Sequence, residues 1–270
     1  MGLGMQLTAW PAELVQALLE AGFRAVRFDN RDIGRSQFFD ELGVPNLLWE
    51  SMKHRFGLPV RAPYTLQAMA QDSLGVLDAL GIERAHVVGA SMGGMIAQRV
   101  ALAAPDRVAT LTSIMSSSGA RYLPGPKPQV LTQLMTRPHG RSEQALADHG
   151  VKILKMIGSP AFPTDEATLR AQVIAANRRS FHPAGTMRQM AAVAADRRRA
   201  DELPRIKTPT LVVHGKDDPM VPLACGHDTA RRIHGARLVA IPGMGHDLPP
   251  PVVQRVLEHL LPHLKGASRP

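Results

Sequence analysis

The spacing of apolar residues along this chain changes period several times, and each change marks an element. Between Pro11 and Gly22 the apolar residues Leu14, Val15, Leu18 and Leu19 fall at helical spacing. Proline suits the first turn of a helix and glycine its end. Phe23-Arg24-Ala25-Val26-Arg27-Phe28 then alternates apolar and polar positions, which predicts a strand. The polar, glycine-containing stretch Asp29 to Ser36 predicts a turn. Tyr64 to Leu80 predicts a second amphipathic helix, with Thr65 as its N-cap and Gly81 as its stop. Short apolar runs at Ala85 to Val88, Val108 to Met115, Thr210 to Val213 and Arg237 to Ile241 predict buried strands, and Pro251 to Leu264 predicts a terminal helix.

Strands separated by helices pair in parallel through crossover connections, so the fold class is α/β with a mostly parallel sheet flanked by helices. Residues 117–203 break this rhythm. They carry helical patterns at Gln129–Thr136, Glu143–Ile157, Glu166–Ser180 and Thr186–Ala195, punctuated by proline and glycine, and no strand pattern. The expected organisation is a core of residues 1–116 and 204–270 with an inserted helical cap at 117–203.

Composition narrows the picture. The chain has 270 residues, of which 44% are hydrophobic, enough for a sizeable core. One cysteine, Cys225, excludes an internal disulfide framework and fits a reducing, cytoplasmic setting; it reads as a small filler residue. No run of about 18 apolar residues exists, so no membrane span is expected. The N-terminus lacks a basic region followed by an apolar run, so no secretory signal is expected. The net charge of +9 comes from scattered arginines, densest at Arg178-Arg179 and Arg197-Arg198-Arg199. With two Trp and two Tyr there is little for base stacking, so these arginines read as a solvated basic face and not as a nucleic-acid site.

The candidate chemistry sits where the strands end. Gly89-Ala90-Ser91-Met92-Gly93 directly follows an apolar run and precedes the helix-compatible stretch Gly94 to Val100. A Gly-x-Ser-x-Gly motif in a strand–turn–helix context is a nucleophile elbow. Serine is a weak nucleophile unless a base takes its proton. An acid and a histidine follow in the required order, each just past a strand: Asp217-Asp218-Pro219 after Val213, and Gly245-His246 after Ile241. Ser91, an acid from 217–218, and His246 therefore share one edge of the expected sheet. Of the other histidines, His214 reads as a support for the strand-end turn and His86 as packed. His259 and His263 have the spacing of metal ligands, but Pro262 interrupts the expected helix and a third ligand is lacking, so they read as solvent-facing. Asp247, adjacent to His246, points elsewhere and stays outside the set.

These motifs, together with Asp29-Asn30-Arg31-Asp32-Ile33-Gly34-Arg35-Ser36 and Pro105-Asp106-Arg107-Val108, resemble the α/β-hydrolases of the kind that includes aclacinomycin methylesterase. The resemblance covers nearly the whole chain and is weakest in the cap. It implies a serine hydrolase of carboxylic esters with Ser91, Asp218 and His246 as the catalytic set; the position directly before the Pro-x-Val-Pro turn selects Asp218 over Asp217. One oxyanion donor is expected at Met92. The resemblance aligns Met1-Gly2-Leu3-Gly4 with the loop that supplies the second, at Leu3; the competing reading is a frayed terminus. It also implies that the first strands of the usual sheet are missing, including the one between the Val26 and Val87 strands. The expected partner is a small-molecule ester, with no cofactor, no metal and a homo-oligomer as an allowed state. Met115, Leu131, Leu134, Met135, Met156 and Met190 are candidates for an apolar pocket lining, though helical spacing makes many of them ordinary core residues. Two other functions use the same sequence: a cofactor-free perhydrolase or acyltransferase, with peroxide or an alcohol replacing water, and a non-catalytic binding protein that keeps the fold.

Overall fold

The computed structural model describes residues 1–46, 49–50, 52–53, 56, 58–136 and 138–266. Among them the chain forms one four-stranded, all-parallel sheet in the order β1-β2-β3-β4, with β1 at Ala85–Ala90, β2 at Val108–Ile114, β3 at Thr210–Gly215 and β4 at Arg237–Ile241. Sequential order across the sheet requires a crossover between each pair of strands. The connections are α3 (Met92–Ala103), a long helical excursion, and α8 (Leu223–Arg232). The excursion contains α4 (Pro128–Met135), α5 (Glu143–Ile157), α6 (Glu166–Arg179) and α7 (Pro183–Ala195). Two further helices, α1 (Ala12–Glu20) and α2 (Leu66–Ala79), precede the sheet, and α9 (Pro250–Gly266) closes the chain.

The side-chain alternation of a strand splits the core into two layers. Val87 joins one with Leu66, Met69 and Leu74 of α2 and Ile96 and Val100 of α3. Val88 faces the other, with Leu14 of α1 and Val252, Val256, Leu260 and Leu264 of α9. Every residue of β3 is buried, as expected for a strand covered on both faces.

Most predicted elements form within a residue or two of their expected bounds. Thr65 caps α2 by accepting the Ala68 N–H at 3.1 Å. Three expectations are corrected. Phe23 to Phe28 is not part of the sheet. An alternating pattern becomes a strand only when a neighbour supplies ladder hydrogen bonds; here Phe23 instead sets its ring edge-on to His86, 5.4 Å between centroids. Pro262 does not interrupt α9, which runs through it. The lost N–H bond is outweighed by the buried stripe Val256, Leu260 and Leu264 on either side. The arginine pairs are not simply a solvated face: Arg199 is buried, bonded to Gln98 and Asp196, and Arg179 reaches Asp29 at 2.7 Å. Helix α8 carried no clear sequence signal because few of its residues are apolar.

Candidate active site

Strand β1 ends at Ala90 and helix α3 begins at Met92, so the whole reversal falls on Ser91. Its backbone takes φ 55° and ψ −121°, a conformation that costs a non-glycine residue about 1–3 kcal/mol. The surroundings hold it there. Its N–H donates to Ile114 O at 2.9 Å, and its C=O accepts the Gly94 N–H at 2.9 Å and the Ser116 hydroxyl at 2.7 Å. The glycine of the motif at 89 answers to close approach: a Cβ there would lie 2.0 Å from Gly93 O.

The loop after β4 brings His246 to this turn. His246 Nε2 lies 3.0 Å from Ser91 Oγ, and Nδ1 lies 2.7 Å from Asp218 Oδ2. A carboxylate oxygen accepts only, so Nδ1 carries the ring proton and the Nε2 lone pair faces the serine hydroxyl. The Asp218 side chain is fully buried, and its other oxygen accepts the N–H groups of Met220 and Val221 at 2.9 and 2.8 Å. Asp217, its rival in the sequence, points to the histidine loop and accepts the Gly243 N–H at 2.8 Å. His214 supports the acid turn from beneath by donating from Nε2 to Val221 O at 2.7 Å. Burial pushes its pKa down, which keeps it neutral beside Asp218.

The end of α5 clamps the histidine loop, a contact that sequence reasoning missed. His246 N–H donates to Ile157 O at 2.7 Å, Gly245 N–H donates to Ser159 Oγ at 2.9 Å, and the Ser159 hydroxyl donates to Asp247. A Cβ on Gly245 would meet Gly158 O at 2.3 Å. The Gly-His pair was legible as a motif; its partner, a helix end nearly 90 residues earlier, carried no local signal.

Residues 1–4 pack at the elbow, against the reading of a frayed end. A Cβ on Gly2 would lie 3.1 Å from Ser91 Cβ, and one on Gly93 would lie 2.8 Å from Met1 O. Asn30 Nδ2 donates to Met1 O at 3.3 Å, and Leu3 packs against the α2–α3 layer. Directly after Ser91, Met92 opens α3, and the first N–H groups of a helix lack intrahelical partners.

The remaining candidates lie apart from this cluster. Cys225 is buried with its Sγ 3.7 Å from Pro124 O, and burial raises its pKa. His86 contacts Thr110 Oγ1 at 2.9 Å. His263 turns inward to Leu111 O at 3.2 Å, contrary to the solvent-facing expectation. Among the described residues no group of His, Cys, Asp or Glu is arranged to hold a metal ion, and no helix is long and apolar enough to cross a membrane.

A parallel sheet with a serine on the strand–helix turn and an acid and a histidine on later strand ends is the arrangement of one fold family. The family described as "alpha/beta hydrolase fold" matches residues 2–249, and the chain belongs to it. It is 31% identical to a rhodomycin D methylesterase of Streptomyces sp. (strain C5), over 99% of this chain and 90% of that protein. It is 30% identical to a putative carbamate hydrolase of Caulobacter sp. (strain K31), over 91% of this chain and 81% of that one. Among solved structures, a meta-cleavage product hydrolase from Pseudomonas fluorescens IP01 superposes with a TM-score of 0.74 at 18% identity, over 99% of this chain and 88% of that chain, a likeness of fold.

Proposed function

We propose that this protein is a serine hydrolase that cleaves carboxylic esters of small molecules. The observation that carries the reading is the hydrogen-bonded series Ser91–His246–Asp218 at the ends of three parallel strands. Ser91 Oγ attacks the ester carbonyl while His246 Nε2 takes its proton. Asp218 holds the imidazole in the productive tautomer and stabilises the imidazolium. The N–H groups of Met92 and Leu3 donate to the oxyanion of the tetrahedral intermediate. Collapse of the intermediate releases the alcohol, which takes its proton from His246. Water then hydrolyses the acyl-enzyme by the same relay. No step calls for a metal or an organic cofactor. A serine at 91 makes the intermediate an acyl ester rather than the alkyl ester an aspartate would form.

In this reading residues 117–203 form the cap over the site, and substrate choice resides there. The name of the methylesterase relative favours a methyl ester. Hydrolysis of p-nitrophenyl esters over a range of acyl lengths, by the protein and by Ser91→Ala, tests the proposal. The expected result is turnover that falls by about 10⁴-fold or more in the variant. Undiminished turnover by Ser91→Ala would refute the assignment. An inert but well-folded wild-type protein would favour the binding-protein reading.

A further inference from the structure

The first turn of the chain is held at the nucleophile by a side chain from the helical excursion. Residues Gly2 to Met5 form a tight turn in which the Met5 N–H donates to Gly2 O at 3.1 Å. Gly4 takes φ +67°, a left-handed conformation that glycine accepts without strain. The Gly4 N–H is bonded outside the turn, to Gln189 Oε1 on α7, at 3.0 Å. None of these bonds uses the Leu3 N–H, which leaves that amide for a ligand.

Gln189 is itself tightly fixed. It is fully buried, and its Nε2 donates to Arg31 O at 2.9 Å. Thr186, one turn earlier on α7, packs against Gly4: a Cβ there would meet its Oγ1 at 3.1 Å. The neighbouring Arg188 anchors the same helix through Asp32, at 2.7 and 2.8 Å, and through Gly43 O at 3.0 Å. The turn therefore has a fixed outer wall, and the Leu3 amide is held by a bond on the amide that follows it.

We infer that Gln189 is a positioning residue for the oxyanion: by bonding Gly4 it fixes the Gly2–Met5 turn so that the Leu3 N–H points at the oxygen that develops charge during attack by Ser91. The inference rests on the esterase reading. It assigns to a helix of the excursion a part in stabilising the transition state as well as in covering the site. An oxyanion donor must sit about 2.7–3.1 Å from where charge develops, and a misplacement of about 1 Å can cost about 10²-fold in rate.

The test compares wild type with Gln189→Met, which keeps the side-chain length and removes both hydrogen bonds, and Gln189→Glu, which keeps an acceptor for Gly4. Kinetics are measured with p-nitrophenyl butyrate. Inhibition is measured with an aryl trifluoromethyl ketone, whose hemiketal with Ser91 carries an oxyanion. All assays run well below each variant's Tm. For Gln189→Met the expected result is a fall in kcat of about 10–100-fold with KM changed less than about threefold, and a Ki for the ketone that rises by the same factor. Gln189→Glu is expected to recover most of both losses. An unchanged kcat and Ki in folded Gln189→Met would overturn the inference, as would a rise in KM alone, which marks a substrate contact. If the Met variant does not fold, Gln189→Glu decides: retained kcat and Ki support the role, and a hundredfold loss at unchanged Tm defeats it. Ser91→Ala run in parallel separates the two layers, because activity surviving in that variant would sink the esterase reading itself.

Discussion

Two adjacent aspartates, alike in sequence, have opposite surroundings. Asp218 is enclosed, accepts two backbone N–H groups and faces His246; Asp217 accepts a single N–H from the histidine loop. On the proposed mechanism, Asp218→Asn places an amide against His246 Nδ1 and favours the wrong tautomer. The expected loss in kcat is about 10⁴-fold. Asp217→Asn keeps an oxygen acceptor for Gly243 and is expected to keep kcat within about tenfold. Steady-state kinetics of the two variants side by side would check the assignment, and an equal loss in both would contradict it. At this scale the sequence was informative because the proposed nucleophile, acid and base each occupy a motif with its own turn chemistry. It said nothing of Ile157, Ser159 or Gln189, whose contributions are a carbonyl, a hydroxyl and an amide that many residues could supply.

Among the helices, α7 bears the most consequential contacts. Arg188 is fully buried and forms a two-point ion pair with Asp32, which is also fully buried. Burial alone would raise the Asp32 pKa, but the Arg188 hydrogen bond and the Phe39 N–H outweigh it and hold the carboxyl below its usual range. Asp40 adds a second carboxylate to the same guanidinium at 2.9 Å. Removing the cation leaves a buried, uncompensated carboxylate, so Arg188→Met is expected to lower stability by about 3–5 kcal/mol. Urea unfolding followed by circular dichroism would measure it; a loss under about 1 kcal/mol would mean that water or another cation compensates. The sequence showed α7 as a helical pattern but gave no reason to expect arginine on its buried side, since the partner lies 156 positions away.

For the molecule as a whole, several arginines act by compensating buried carboxylates. Asp29, Asp32 and Asp228 are all buried and all held below the ordinary carboxylate range. In each case burial pushes the pKa up and is outweighed. The opposing groups are Arg179 for Asp29, Arg188 for Asp32, and Ser118, Tyr122, Arg232 and Arg231 for Asp228. A carboxyl with a folded pKa below its unfolded value stabilises the fold fully above that unfolded value, about 3.9 for aspartate, and loses this as pH falls through the folded value. His214 adds a milder effect: its depressed pKa means that the unfolded chain takes up its proton first as pH drops below about 6.5. Urea midpoints are therefore expected to decline gently from pH 7 to 5 and steeply below about pH 4. A midpoint that stayed level down to pH 3 would show that these pairs contribute little.

By itself the sequence determined what local rules encode. The alternation of strands and helices, the Gly-x-Ser-x-Gly turn and the order serine, acid, histidine are all properties of short segments. Each can be read because backbone geometry and turn chemistry act over a few residues. Tertiary structure decided whatever depends on a partner distant in the chain. Phe23 to Phe28 has the pattern of a strand and no ladder to join. Pro262 sits inside a helix because packing against the sheet outweighs one lost hydrogen bond. Arg199, which composition assigned to a solvated face, is enclosed because the Asp196 carboxylate meets it there. The bond between Asp218, which its turn motif already singled out, and His246, and the bond from Gly4 to Gln189, follow from the same cause: a hydrogen bond is set by position in space, and for residues far apart in the chain only the fold sets that position.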